Sequence, residues 1–144
     1  MIELVEDRLD IDTYLELRQS VQFRELTRDQ AKKGLSNSLY TLVAFKDGKA
    51  VGMGRIVGDG AIICYVQDLI IRPEVQGEGI GGLILETLKK FVIQEGYEGT
   101  TMMFDLMCAK GREEFYKKHG FIARPTKDLG PGMIQFIQIG FDEQ

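Results

Sequence analysis

Gln76-Gly77-Glu78-Gly79-Ile80-Gly81-Gly82 decides how this 144-residue chain is read. An apolar run, Ile62 to Ile71, precedes it, and an amphipathic run, Leu83 to Gln94, follows. The first reads as a strand buried on both faces. The second sets Ile80, Ile84, Leu88, Phe91 and Val92 on one helical face and Glu86, Lys89, Lys90 and Gln94 on the other. A strand, a glycine loop and a helix N-terminus make a place to hold phosphate. Glycines let the backbone approach an anion, and first-turn amides have no intrahelical acceptor, while the helix dipole favours negative charge there. The expectation is a phosphorylated ligand held on this loop.

Three readings of the loop compete at the level of residues. Gly77, Gly79 and Gly82 satisfy the dinucleotide spacing G-x-G-x-x-G, but Arg72-Pro73-Glu74-Val75-Gln76 separates them from the strand, and three strand signals have already passed. A P-loop requires Lys-Ser/Thr after its last glycine, where Leu83-Ile84 stands. A glycine turn kept for shape alone is the plain alternative.

Working outward, Ile2 to Val5 reads as a strand. Asp10 or Asp12 caps a helix reaching about Val21, and Thr27 with Gln30 has capping-box spacing for a helix to about Gly34. Tyr40 to Phe45 and Val51 to Val57 flank a two-residue hairpin turn at Asp47-Gly48. Gly96 stops the long helix. Thr100 to Leu106 is a strand, Gly111 to His119 a short helix, and Phe121-Ile122 and Ile134 to Phe141 are closing strands. The expected architecture is α/β: a mixed, mostly antiparallel central sheet with helices on both faces, in a single domain spanning residues 1–144.

Composition narrows the function. The net charge of −4 argues against a nucleic-acid partner and suits a cationic substrate. No run reaches the ~18 apolar residues of a membrane span. The opening Met1-Ile2-Glu3-Leu4-Val5-Glu6-Asp7 has no basic flank or apolar core of a signal peptide, so a cytoplasmic protein is expected. Two cysteines, Cys64 and Cys108, and one histidine, His119, are too few for a structural zinc site, so no metal is expected. Both thiols are read as buried and reduced, and His119 as a structural residue at a helix end.

A family resemblance links these features. Gln76-Gly77-Glu78-Gly79-Ile80-Gly81 resembles the Gln/Arg-x-x-Gly-x-Gly/Ala motif of the GCN5-related N-acetyltransferases. Asp68-Leu69-Ile70-Ile71-Arg72-Pro73-Glu74 resembles the strand before that motif. Glu114-Phe115-Tyr116-Lys117-Lys118-His119-Gly120-Phe121 resembles the family's tyrosine-bearing helix and Gly-Phe turn. The match covers roughly Tyr40 to Phe121. It implies the family's acyl-coenzyme A N-acyltransferase fold and transfer of an acetyl group from acetyl-coenzyme A to a primary amine of a small molecule by direct attack. A protein N-terminal or lysine acetyltransferase, and a non-catalytic acyl-coenzyme A sensor, are the alternatives. The resemblance places the pyrophosphate on Gln76, Gly77, Glu78, Gly79, Ile80, Gly81 and Gly82, and the pantetheine arm along Leu69, Ile70 and Ile71 like an added strand. Two positions depart from the pattern: the slot of Glu78 is often basic, and Ala109 stands where an Asn commonly bonds the arm.

The reaction has three needs. An alkylamine of pKa ~10.4 must lose a proton, which at pH 7 takes ~4.6 kcal/mol. The oxyanion needs a donor, for which a backbone N–H near Leu69 or Ile70 is suited. The leaving sulfur needs a partner, and the resemblance assigns this to Tyr116; a core tyrosine beside Phe115 and Phe121 is the structural alternative. Strict alternation puts Tyr65, Gln67, Leu69 and Ile71 on one strand face and Cys64, Val66, Asp68 and Ile70 on the other. By the resemblance the first face looks toward the acceptor. An acceptor site lined by Phe23, Tyr65, Gln67 and Met133 follows, with no evident base. A homodimer is a further expectation, from the resemblance and the apolar last strand.

Overall fold

The computed structural model describes residues 1–140 and divides the chain into two compact units, the first Met1–Met107 and the second beginning at Cys108. The first unit holds a five-stranded sheet in chain order: β1 (Ile2–Glu6), β2 (Tyr40–Lys46), β3 (Lys49–Gly58), β4 (Ile63–Ile71) and β5 (Met103–Leu106). The first four are antiparallel, and β4 and β5 run parallel. Asp47 and Gly48 both take positive φ, 52° and 80°, the conformation of a tight type I′ hairpin that pairs Lys46 with Lys49, and a bulge between Phe45 and Ala44 then shifts the β2–β3 register.

Helices cover both faces of this sheet. On one side, α3 (Ile80–Glu95) buries Ile80, Ile84, Leu88 and Val92 against Leu42, Ile56, Cys64 and Val66. Its stop is Gly96, as the sequence indicates. On the other side lie α1 (Ile11–Ser20) and α2 (Arg28–Ser36), which pack Tyr14, Leu17 and Ala31 with Met53 and Ile70. Asp10 caps α1 through Thr13 N–H, and Thr27 with Gln30 forms the capping box of α2. The fold class read from the sequence is therefore the observed one.

Strand β4 corrects one expectation. Arg55 of β3 pairs with Asp68, yet the next residue, Ile56, pairs with Val66, so Gln67 is the extra residue of a β-bulge. The bulge advances the alternation by one. Cys64 and Val66 then share the α3 face with Leu69 and Ile71, whereas Ile70 packs against α1 and α2. Tyr65 lies with Asp68 on the α1–α2 face, and Gln67 is exposed, so Tyr65 and Gln67 do not share a face with Leu69 and Ile71.

The second unit contains α4 (Glu113–Lys118), with Gly120 at positive φ just beyond it. Phe121-Ile122 and residues 134–140 form no strand among the described residues; Phe141 lies outside them. A strand exists only where a partner supplies ladder hydrogen bonds, whereas backbone bonds here, such as Phe121 N–H to the Tyr116 carbonyl and Thr126 N–H to the Leu129 carbonyl, are local. Cys108, expected to be buried, is exposed, while Cys64 is fully buried; both are free thiols. Among the described residues, no helix is long and apolar enough to cross a membrane.

Candidate active site

The site is built where β4 loses one of its neighbours. Strand β5 pairs with β4 only from Ile63 to Val66, while β3 accompanies β4 as far as Ile71. Beyond Val66 the β5 side of β4 has no strand partner among the described residues. Which backbone groups face that open edge follows from one bond. Arg72 N–H donates to the Val51 carbonyl at 2.8 Å, on the β3 side. Antiparallel strands alternate, so Ile70 also addresses β3, and Leu69 and Ile71 point their N–H and C=O groups at the open edge. Ile70, expected among the cofactor contacts, has its peptide groups in the β3 ladder instead. The Ile71 carbonyl on the open edge accepts from the Gln76 side-chain amide at 3.0 Å.

The open edge runs into the glycine loop. A 3₁₀ turn, Pro73–Val75, buries Val75 and delivers Gln76. Gly77 and Gly79 adopt φ of 87° and 85°, and an added Cβ at either would meet nothing within 4 Å. Backbone conformation, not crowding, therefore demands glycine here, and it leaves the loop open to a ligand. Gly79 begins α3 without a side-chain cap, and no acidic residue lies in its first turn. The N–H groups of Ile80, Gly81 and Gly82 have no helical acceptor. Glu78 turns its carboxylate to Lys46 of β2, whose ammonium donates to Oε1 at 2.8 Å; this bond raises the Lys46 pKa. The acidic residue of the glycine loop is thus matched by a cation 32 positions away.

Across the sheet, Asp68 organises the α1–α2 face. Only 2% exposed, it accepts from Tyr14 Oη at 2.7 Å, Arg55 Nε at 2.9 Å and Arg18 Nη1 at 3.2 Å. Burial, then the Asp68 charge, push the Tyr14 phenol up. Arg18 in turn donates to the Arg24 carbonyl and lies 5.5 Å from the Phe23 ring centroid. Phe23, Arg18, Leu15, Gln22, Glu25 and Leu26 line a cleft of about 360 Å³. Of the expected acceptor residues, Phe23 lines this cleft and Tyr65 shares its side of the sheet. Gln67 is taken by the bulge, and Met133 lies in the second unit with its side chain exposed.

Tyr116 lies on α4 in the second unit, edge-on to Phe115 at 5.1 Å and to Phe121 at 5.7 Å. Burial raises its pKa, and the nearby Cys108 adds to the shift. Its phenol is thereby kept protonated and able to donate.

Two residues missing from the sequence reading stand out. Lys46 is one, and only the folded sheet brings it to Glu78. Asp105 is the other. It is the one acid in Met102-Met103-Phe104-Asp105-Leu106, and its Oδ1 is buried without a hydrogen-bond partner. Burial lifts its pKa above the ordinary carboxylate value. No group of three or more potential metal-ligating residues occurs among the described residues.

Comparison with known proteins fixes the lineage. The model of the acetyltransferase (GNAT) domain matches residues 37–123, more than half of the chain. The chain belongs to the GNAT acetyltransferase family. A GNAT-family acetyltransferase from Streptococcus pneumoniae superposes with a TM-score of 0.78 at 29% identity, covering 96% of this chain and 99% of that one. The N-acetyltransferase ycf52 of Pyropia yezoensis, itself uncharacterized, is 31% identical over 100 residues, 67% of this chain and 55% of that protein. The chloroplastic GCN5-related N-acetyltransferase 2 of Arabidopsis thaliana is 29% identical over 80 residues, 56% of this chain and 30% of that protein. The GNAT chain thus spans from about a third to just over half of these curated relatives.

Proposed function

We propose that this GNAT chain transfers an acetyl group from acetyl-coenzyme A to a primary amine of a small molecule. The observation that carries the reading is the open β4 edge, with Leu69 and Ile71 aimed along it, running into the amides of residues 76–82. An extended pantetheine arm would add to that edge as a strand does, and its diphosphate would meet the positive end of α3. A backbone N–H on the same edge, that of Leu69, is the proposed oxyanion donor. Tyr116 is proposed to stabilise the departing thiolate. At pKa ~10 against a thiol's ~8.5, a tyrosine serves first as hydrogen-bond donor, and proton transfer is completed later.

A small acceptor is supported by the size of the cleft at Phe23, which lies within the range of small-ligand sites, and by the acidic balance of the chain. A reducing compartment such as the cytoplasm fits its two free thiols. Homodimerisation remains an expectation of family resemblance, open to a light-scattering measurement; its second basis, a closing strand, does not form among the described residues.

The test has two arms. Acetyl-coenzyme A is titrated while the backbone amide resonances of residues 76–82 are followed; saturable shifts are expected, and their absence overturns the reading. Free thiol released from acetyl-coenzyme A is then measured across a panel of amines, with Tyr116→Phe beside the parent chain. A drop in turnover with unchanged acetyl-coenzyme A affinity is expected for Tyr116→Phe. Equal turnover removes its assigned role, and binding without any turnover favours a sensor.

A further inference from the structure

Asp105 sits at the place where β4 and β5 part. It is in register with Tyr65, and only one more ladder pair, Val66 with Leu106, separates it from the open edge. Its neighbours Phe104 and Leu106 pack in the core beneath α3, so its carboxylate projects from the opposite face, the one carrying Tyr14, Asp68 and the cleft at Phe23. Among the described residues no cation pairs with it. Of the cations on that face, Arg18 of α1 and Arg55 of β3 bind Asp68, and Arg72 binds Glu16 of α1. Asp105 Oδ1 is shut off from solvent without a hydrogen-bond partner, although a buried anionic oxygen left without a donor is strongly unfavourable. Such a group persists where a ligand supplies the donor.

We infer that Asp105 is the general base of the acetyl transfer, its carboxylate taking a proton from the acceptor ammonium at the mouth of the β4–β5 split. The inference rests on the proposed activity and deepens it. The amine arrives as R–NH₃⁺ and gives one proton to the carboxylate, directly or through one water, leaving R–NH₂ and a carboxylic acid. The nitrogen lone pair attacks the thioester carbon; the C–N bond forms and the carbonyl becomes an oxyanion. The adduct sheds a second proton from nitrogen, and its collapse breaks the C–S bond. The departing thiolate takes up a proton, and Asp105 returns the first one to solvent. The sum is R–NH₃⁺ and acetyl-coenzyme A going to the amide, the free thiol and one H⁺.

The environment suits a base. The groups on the same face as Asp105 include Tyr65 and Asp68 of β4, with Arg55 and Arg18 bound to Asp68, while Cys64 lies on the opposite face. Desolvation raises the Asp105 pKa, and only its own backbone N–H opposes the shift. A carboxylate of raised pKa is a stronger base than one in water.

The test uses the full chain and a panel of spermidine, phenethylamine, glucosamine and a peptide with a free N-terminus. For the best acceptor, Asp105→Asn should lower kcat/KM by about 10²–10⁴-fold and remove the acid limb of its pH profile. Acetyl-coenzyme A affinity should stay within about twofold, because Asp105 is assigned to the acceptor and not the cofactor. A variant within about threefold of the parent, or one that keeps the acid limb, overturns the assignment. A readout free of turnover is the ¹³C titration of the Asp105 carboxyl. A midpoint above that of an ordinary aspartate, moved by adding spermidine, supports the proposal; an ordinary, unmoved midpoint overturns it. The two readings fail separately. If acetyl-coenzyme A leaves the amides of residues 76–82 unmoved, the acetyltransferase reading falls and takes the base with it. If those amides respond while Asp105→Asn is fully active, only the base assignment falls.

Discussion

Lys46 Nζ lies 2.8 Å from Glu78 Oε1, so the carboxylate of the glycine loop is held toward β2. The pair is partly exposed, its side chains 35% and 43% accessible, so it is a modest contact that salt screens. Its value lies in what the loop presents to an anion. Lys46→Met should free the carboxylate to oppose a diphosphate and weaken acetyl-coenzyme A binding severalfold. Glu78→Gln should leave Lys46 unpaired beside the loop and tighten binding. Calorimetry at low and high salt checks both, and the two effects should shrink together as salt rises.

Gly54 sets how closely β3 approaches α3. A Cβ there would lie 2.7 Å from Ile84 Cγ2 and 3.0 and 3.2 Å from the Leu88 methyls. The Ile84 methyl is branched at Cβ and has little freedom to withdraw in a helix. Gly54→Ala should therefore destabilise the chain by about 1–3 kcal/mol through overpacking. Because α3 carries the glycine loop at its N-terminus, the same variant should bind acetyl-coenzyme A more weakly. Urea unfolding and a binding titration on one preparation measure both effects.

What the sequence displays is what neighbouring residues decide among themselves. The Asp47-Gly48 turn, the capping box at Thr27, the stop at Gly96 and the loop from Gln76 to Gly82 are local chemistry, and the structure has each in place. The bulge at Gln67 is not local. No glycine or proline marks it, and it arises from pairing with β3 while Asp68 is held by Arg18, Arg55 and Tyr14, residues 13 to 54 positions away. A strict alternation therefore placed half of β4 on the wrong face. Among the described residues the closing strands do not form, for a similar reason: apolar residues from Ile134 onward satisfy a strand pattern, but pairing requires a partner that no pattern supplies. Asp105 did leave a signal, a lone acid inside an apolar strand. Its unpartnered oxygen became visible only with the fold.

Asp68 holds Arg18, which lines the cleft at Phe23. Replacing Asp68 with Ala leaves two buried guanidinium groups and the Tyr14 hydroxyl facing an absent anion. Breaking a buried ion pair from one side costs about 3–5 kcal/mol, so Asp68→Ala should lose that much stability in urea. Arg18 would also lose the bond that fixes it near Phe23. Asp68→Asn, which keeps the shape and removes the charge, should fall between the two. Where it folds, it should raise the KM for the amine more than that for acetyl-coenzyme A.

Asp105 should make the protein less stable at the pH where it works. Burial raises its pKa in the folded chain above the unfolded value near 3.8. The folded state then binds more protons than the unfolded state between those two values. Stability falls as pH rises through that window, and the loss persists at neutral pH. Asn has no proton to lose, so Asp105→Asn should be the more stable protein near pH 7. Its advantage should shrink as pH falls through the folded-state pKa of Asp105 and vanish below about pH 3.8, where both states of the parent are protonated. Urea midpoints from pH 3 to pH 8 give the comparison directly. A carboxylate kept only for structure predicts the opposite sign at neutral pH, because replacing it would then remove a favourable contact. Greater stability with loss of turnover is the expected pattern for a charge held in place for chemistry rather than for folding.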